Sequence, residues 1–369
     1  SIKQINRKKW TRLVEQSNPF YDYDWFLCLE ESGCVGDNSG WIPIFFIEED
    51  TTHILAAVSG YIKLHSYGEF VFDFQWANAY HNAGIDYYPK LILASAFTPA
   101  TGKRVLLDSQ KETEYVDRLL NAVIMFAEQE RLSSIHCLFA EDADHNSFKK
   151  HGFMKRISVQ YQFQNQSFDT FETYLAGLKS NRRKTIRQER RKIQKQELDI
   201  HYLTGNQISE LHLETMWQFY QSTHQKKGHY GYLNKDFFMR LYSSMTKRLL
   251  LVYVKEDQQY IAGSMSLFKN NVLYGRYWGA IIPKQFLHFE CCIYQLIEWT
   301  IAHNISVFDA GVQGEHKFQR GFHPVLSTSL HYICRDDGRK MVQEFLNVET
   351  PLVRKQLEQY KKMSVIKTL

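Results

Sequence analysis

Apolar positions recur along this chain in two periods, and the order of those periods repeats. Apolar residues every three to four positions over 115–131 predict an amphipathic helix, and a continuous apolar strand follows at 134–140. Phe148, Lys149, Lys150, His151, Gly152 and Phe153 then lead into a further strand at 154–163. The same succession returns as a helix over 290–303, a strand at 306–310, the cluster Phe318, Gln319, Arg320, Gly321 and Phe322, and a strand at 325–334. The copies stay in step: Leu120, Val123, Ile124 and Ala127 match Ile293, Leu296, Ile297 and Thr300 at one constant offset. A duplicated unit predicts two similar domains facing each other, with ligands expected in the cleft between them.

The rest of the pattern fills out both halves. Helices are expected over 5–16 and 22–31, a strand pair over 41–48 and 53–64, and an aromatic insertion with a helix over 65–84. A buried strand at 90–97 runs into the turn-rich segment Thr98, Pro99, Ala100, Thr101, Gly102, Lys103 and Arg104. The second half offers a basic helix, a strand at 198–203, helices over 210–225 and 234–247, strands at 249–256, 261–269 and 272–281, and a closing helix over 341–360. A crossover helix between neighbouring strands implies a parallel pair within a mixed sheet. The expectation is an α/β chain with mixed α+β sheets, an N-terminal domain over 1–166 and a C-terminal domain over 167–369, joined near 165–171.

Composition adds three constraints. At 369 residues, 44% hydrophobic and 15% aromatic, the chain can bury large cores. No apolar stretch reaches about 18 residues, and no apolar run follows the basic start, so neither a membrane span nor a signal peptide is expected. Cys28, Cys34, Cys137, Cys291, Cys292 and Cys334 are scattered without a C-x-x-C pair, which fits reduced thiols and a cytoplasmic protein. Charge is localised: Lys179, Arg182, Arg183, Lys184, Arg187, Arg190, Arg191, Lys192 and Lys195 face one acid, Glu189. That segment carries +8, so a chain of net +5 is −3 elsewhere. Ile186 and Ile193 mark its apolar side, and Ser180 is the expected N-cap. Self-repulsion in such a helix calls for an anionic partner, such as tRNA or an anionic lipid head group.

The element order resembles the GNAT acyltransferase fold used twice, and the second half resembles the second domain of the FemABX aminoacyltransferases of peptidoglycan synthesis. Ser180, Asn181, Arg182, Arg183 and Lys184 carry that likeness, with Trp278-Gly279 at a strand end, Phe308-Asp309-Ala310-Gly311, and Gly321-Phe322 behind Lys317-Phe318. Over most of its length the chain is similar to a bacterial family of FemAB-related N-acyltransferases labelled as peptidoglycan biosynthesis or recognition proteins. Its segments stand here as Asn18-Pro19-Phe20, Gly40-Trp41-Ile42-Pro43, His65-Ser66-Tyr67-Gly68-Glu69-Phe70-Val71-Phe72-Asp73, Tyr87-Tyr88-Pro89-Lys90, Phe97-Thr98-Pro99 and Gly314-Glu315-His316-Lys317. The resemblance implies a tandem GNAT-like fold and transfer of an acyl or aminoacyl group to an amine, with acyl-CoA as donor and a muropeptide or small-molecule amine as acceptor. It leaves two alternatives: a FemABX-like transferase that uses aminoacyl-tRNA, and a non-catalytic protein that recognises peptidoglycan or nucleic acid. The GNAT signature R/Q-x-x-G-x-G/A is absent; the nearest string, Arg276 to Ile281, fails at its last position.

Candidate chemistry concentrates after the second apolar strand. Glu315 or His316 could take the proton of an attacking amine, with Glu290 orienting the amine from the crossover helix. Lys317 and Arg320 could hold a phosphate or carboxylate, and Trp278 contacts substrate. In the first half, His65, Ser66, Glu69 and Asp73 are candidate substrate contacts. Thr98, Thr101, Gly102, Lys103 and Arg104 occupy the place where GNAT enzymes cradle the pyrophosphate of coenzyme A. No H-E-x-x-H, Walker loop or G-x-S-x-G elbow occurs, and no metal is expected.

Overall fold

The computed structural model describes residues 1–108, 112–226, 228, 230–312 and 314–367. Its strands are β1 (Trp41–Glu49), β2 (Ile54–Lys63), β3 (Lys90–Leu93), β4 (Leu106–Leu107), β5 (Ser134–Ala140), β6 (Met154–Gln164), β7 (Asp199–Thr204), β8 (Leu249–Glu256), β9 (Gln259–Lys269), β10 (Val272–Ala280), β11 (Val307–Asp309) and β12 (His323–Ile333). The chain forms two compact units, residues 1–159 with 326–357, and residues 160–325 with 358–369. Among the described residues no helix is long and apolar enough to cross a membrane.

Unit 1 holds a mixed sheet in which β1, β2 and β3 pair antiparallel in turn, β3 pairs parallel with β5, and β5 pairs antiparallel with β12. The helix Glu112–Gln129 makes the crossover from β3 to β5. Its apolar stripe explains its position: Leu119, Leu120, Val123 and Ala127 pack on Leu91, Leu93, Ile135, Cys137 and Leu330 in one core, with Ile124 at the margin. Each large aliphatic side chain buried this way contributes roughly 1.5–3 kcal/mol. Unit 2 repeats the plan, with β7, β8, β9 and β10 antiparallel in turn and β10 parallel to β11. The matching crossover residues Ile293, Leu296, Ile297 and Thr300 are likewise buried. Both crossovers join parallel neighbours, and the architecture is the tandem GNAT-like one.

The strand that closes each copy in sequence does not close it in space. β12 belongs to unit 1 through residues 326–333, while the end of β6 belongs to unit 2, where Gln162, Phe163 and Gln164 pair with β11. Local departures have simple causes. The apolar run 90–97 leaves the sheet at Leu93 and turns at Phe97, whose φ is 57°; continuous hydrophobicity reports burial rather than conformation. A short helix, Phe171–Ala176, starts where the expected joint over 165–171 ends, begun by a reciprocal cap between Thr170 and Thr173. The basic helix is Ser180–Gln194, and Ser180 is its first residue; Lys179 stands at the N-cap without a side-chain bond. The second crossover is broken into an α-turn at Leu287–Phe289, a π-segment at Glu290–Tyr294 and an α-helix at Gln295–Ala302.

Unit 1 buries two histidines directly opposite each other on β5 and β12. The Nδ1 atoms of His136 and His331 lie 2.6 Å apart, so one ring donates to the other, and their Nε2 atoms meet Ser134 and Ser329 hydroxyls at 2.8 Å. Burial holds both well below the ordinary 6.5. Folded, the pair stays neutral; unfolded, each ring takes up a proton below its ordinary value. Stability is therefore expected to fall as pH drops below about 6.5, by about 1.4 kcal/mol per pH unit for each histidine. Urea unfolding at neutral and mildly acidic pH checks this, and His331→Gln should shrink the acid-induced loss even though it lowers stability at neutral pH.

Candidate transfer pocket in the second unit

The parallel pairing of β10 with β11 covers only Val272–Tyr274 against Val307–Asp309, yet β10 continues beside β9 to Ala280. A register shift between Gly275 and Tyr277 inserts Arg276 at the point of separation. Two residues tie the fork. Arg276 Nη1 donates to the backbone oxygens of Gly275 and Asp309 at 2.8 and 3.1 Å, and Nη2 lies 3.3 Å from the Asp309 carboxylate. That carboxylate also accepts the Gly311 N–H at 2.8 Å.

Beyond the fork lies a pocket of about 510 Å³. Ser264 and Ser266 line it from β9, Arg276 and Trp278 from β10, His288 and Cys292 from the crossover, and His316 and Lys317 from the 3-10 helix Glu315–Arg320. Lys317 is buried, and its Nζ donates to the backbone oxygens of Ala310 and Gly311. Burial, assisted by Arg276 and opposed by Asp309, pushes its ammonium down to about 8. His316 is half-buried between the rings of His288 and Phe289, with centroids 5.8 and 5.4 Å away. Its Nε2 makes no hydrogen bond to any described residue. Burial, then Lys317 and Arg320, hold this imidazole below 6.5, so it is neutral at pH 7. Gly314 is required for this placement: its φ is 107°, and a Cβ there would stand 2.3 Å from His316 Cε1.

The other expected site residues are placed as follows. Trp278 lines the pocket, edge-on to His288 at 5.4 Å. Arg320 is buried behind the 3-10 helix, paired with Glu189. Glu290 is buried in the π-segment, where its Oε1 accepts from Arg190 and Gln295. Glu315 is exposed and accepts from Tyr360 at 2.8 Å, away from the pocket lining.

In unit 1 the structure brings Ser66, Glu69 and Asp73 onto one buried lysine. Lys90 Nζ donates to Ser66 and Glu69 at 2.9 Å and also to Asp73, which in turn accepts from Tyr87 at 2.6 Å. Burial pushes Glu69 up to about 7; it pushes Asp73 up too, but the charge of Lys90 and the hydrogen bonds from Lys90, Tyr87 and Ser66 together hold that carboxylate below its ordinary value. His65 sits beside a second buried lysine, Lys63, at 3.1 Å. The loop from Thr98 to Arg104 turns inward. The Gly102 N–H donates to Phe139 O at 3.1 Å, and Arg104 bonds Tyr21, Ala100 O and Phe139 O at 2.6, 2.6 and 2.9 Å. Thr98 is buried, Thr101 half-buried, and Lys103 alone of the expected contacts is exposed. The Gly102 N–H and the two terminal nitrogens of Arg104 are thus committed to protein oxygens.

Residues 1–368 match the FemAB-like family, described as peptidoglycan biosynthesis/recognition. No curated protein matches the chain. Similar solved structures include FemX, 12% identical with a TM-score of 0.56 over 89% of this chain and 96% of that one. L-PGS from Bacillus licheniformis is 12% identical with a TM-score of 0.52 over 87% and 95% of the two chains. The C-terminal domain of a putative lysylphosphatidylglycerol synthetase from Agrobacterium fabrum is 10% identical with a TM-score of 0.56 over 93% and 96%. At such identities the likeness is one of fold.

Lys317 should lose its proton with a midpoint near 8, distinct from the ordinary 10.5. Reductive methylation with labelled formaldehyde, followed by NMR titration of the dimethylamines, measures it; the low-midpoint signal should vanish in Lys317→Arg.

Proposed function

This chain belongs to the FemAB-like peptidoglycan biosynthesis/recognition family, and on that premise we propose that the pocket of unit 2 moves an acyl or aminoacyl group onto a substrate amine. The observation that carries the reading is the pairing, at a strand fork, of a neutral imidazole whose buried Nε2 makes no hydrogen bond to any described residue with a buried lysine. The amine nitrogen attacks the carbonyl carbon of an activated donor, and His316 accepts the amine proton. The carbonyl oxygen becomes an oxyanion, opposite which stand the Lys317 ammonium and the β10 edge beyond Tyr274, where pairing with β11 has stopped. The tetrahedral adduct collapses as the bond to the leaving sulfur or oxygen breaks, and the imidazolium returns the proton to that atom.

Arg276 and Lys317 make the lining cationic, which suits a donor or acceptor bearing a carboxylate or phosphate. Between donors, an aminoacyl group on a polyanionic carrier such as tRNA is the better supported. The Gly102 N–H and Arg104 of the unit 1 loop are turned to protein oxygens, whereas Lys184 and Arg191 of the basic helix, with Lys195 just after it, are exposed and have no acidic partner among the described residues. A muropeptide amine is the acceptor consistent with the family.

Transfer is expected to depend on pH as a bell. The rate rises as His316 loses its proton below 6.5 and falls as Lys317 loses its own near 8. His316→Ala should lower kcat/KM about 10²–10⁴-fold, and Lys317→Met about 10²–10³-fold, with urea midpoints unchanged; Lys317→Arg should remove the alkaline limb. Glu315→Gln should stay within about threefold, since the carboxylate lies outside the pocket. Single-turnover assays with aminoacyl-tRNA or acyl-CoA and a muropeptide amine decide the donor. Muropeptide binding without turnover of either donor would make the protein a recognition module and sink the proposal.

A further inference from the structure

The one acid in the basic run, Glu189, is buried on the inner face of helix Ser180–Gln194 beside Ile186 and Ile193. Its carboxylate accepts Arg320 Nη2 at 2.8 and 3.0 Å, and also the Tyr294 hydroxyl. Arg320 donates Nε to Tyr294 at 2.7 Å and Nη1 to the backbone oxygen of His316 at 2.9 Å, with its guanidinium 3.5 Å from the centre of the Phe289 ring. The next residue, Arg190, grips the other wall of the pocket. It donates to both oxygens of Glu298 at 2.8 Å and to Glu290 at 3.0 Å, in the π-segment that also carries Cys292.

Two consecutive side chains of one helix thus hold both walls, while the outer face of that helix presents Lys184, Arg191 and Lys195 to water. The isoleucines already bury the helix. A buried Glu–Arg pair adds little net stability, because desolvating each ion costs several kcal/mol, but it fixes one register between the elements it joins. A π-segment, which carries an extra residue in its turn, is also a place where a helix can change register.

We infer that Glu189 is a positioning residue and its helix a transmitter: an anionic chain docked on the outer face moves the helix, and the Glu189–Arg320 link carries that movement to the peptide of His316. The purpose of the coupling rests on the transfer reading above; its detection does not. Full-length protein with ¹³C-labelled histidine gives a His316 signal, assigned by its disappearance in His316→Asn. Oligo-dT, used as the polyanion probe, should shift that signal and its titration midpoint in the wild type. Glu189→Gln should bind oligo-dT with unchanged affinity and lose the His316 response, whereas Lys184→Glu should lose affinity about tenfold and recover the response at higher probe concentration.

Should Glu189→Gln unfold, Arg320→Lys tests the same link, since it keeps the charge but loses the reach to the His316 oxygen. An undiminished response in both variants, bound probe with no wild-type response, or absence of probe binding to the basic helix would each overturn the inference. An intact response in a protein that transfers no acyl group would count against the function alone.

Discussion

Two parallel strands that stop pairing early open the pocket of unit 2. β10 and β11 share only three residues of register, and Arg276 with Asp309 closes the last of them. Had the ladder continued to Ala280, the β10 edge would have been satisfied by backbone, and the volume now lined by Trp278, His316 and Lys317 would be sheet. The early end depends on the bulge at Gly275–Tyr277, which turns a guanidinium into the gap, and on the left-handed φ of Gly311, which takes the chain away from the sheet. Lys317 and His316 stand at this opening but are buried by the protein packed over them, which disfavours their charged forms and leaves His316 Nε2 without a described partner.

The duplicated unit shows the alternative outcome at the same place. In unit 1 the parallel pairing of β3 with β5 also ends early, at Leu93 and Cys137. There the loop after β3 returns, Gly102 bridges Ala140, and Arg104 is inserted with its terminal nitrogens bonded to Tyr21, Ala100 O and Phe139 O. One fork is sealed by its own arginine and the other is held open by one. In unit 1 the buried Lys90 pairs with Glu69 and Asp73, while Glu69 Oε1 and Asp73 Oδ1 make no hydrogen bond to any described residue.

How much of this the sequence discloses depends on the length scale of the signal. Periodicity fixes the crossover helices, because Leu120, Val123 and Ala127 and their counterparts Ile293, Leu296 and Ile297 each need one continuous apolar face. The Gly-Glu-His-Lys run locates the pocket wall but not which of its members faces inward. That is set by the three-residue turn of the 3-10 helix, which puts Glu315 and Phe318 together against Tyr360 and leaves His316 and Lys317 to the pocket. Ser264 and Ser266 gave a usable hint, as polar residues on alternate positions of an otherwise apolar strand. Whether Arg104 plugs a fork or Arg276 lines one is not readable locally, since it turns on where Phe139 and Asp309 lie in space. The solitary Glu189 was visible as an anomaly of charge; its partners, Tyr294 and Arg320, are distant along the chain.

The exchange of closing strands also orders events during synthesis. The β5 edge of unit 1 waits for residues 326–333, which are made only after the whole of β7 to β11. A nascent first unit therefore carries an open hydrogen-bonding edge and a core still lacking Leu330, a template for mispairing with another chain. Vectorial folding cannot complete the halves one after the other as separate beads. Any truncation that removes the last strand harms the half that was translated first.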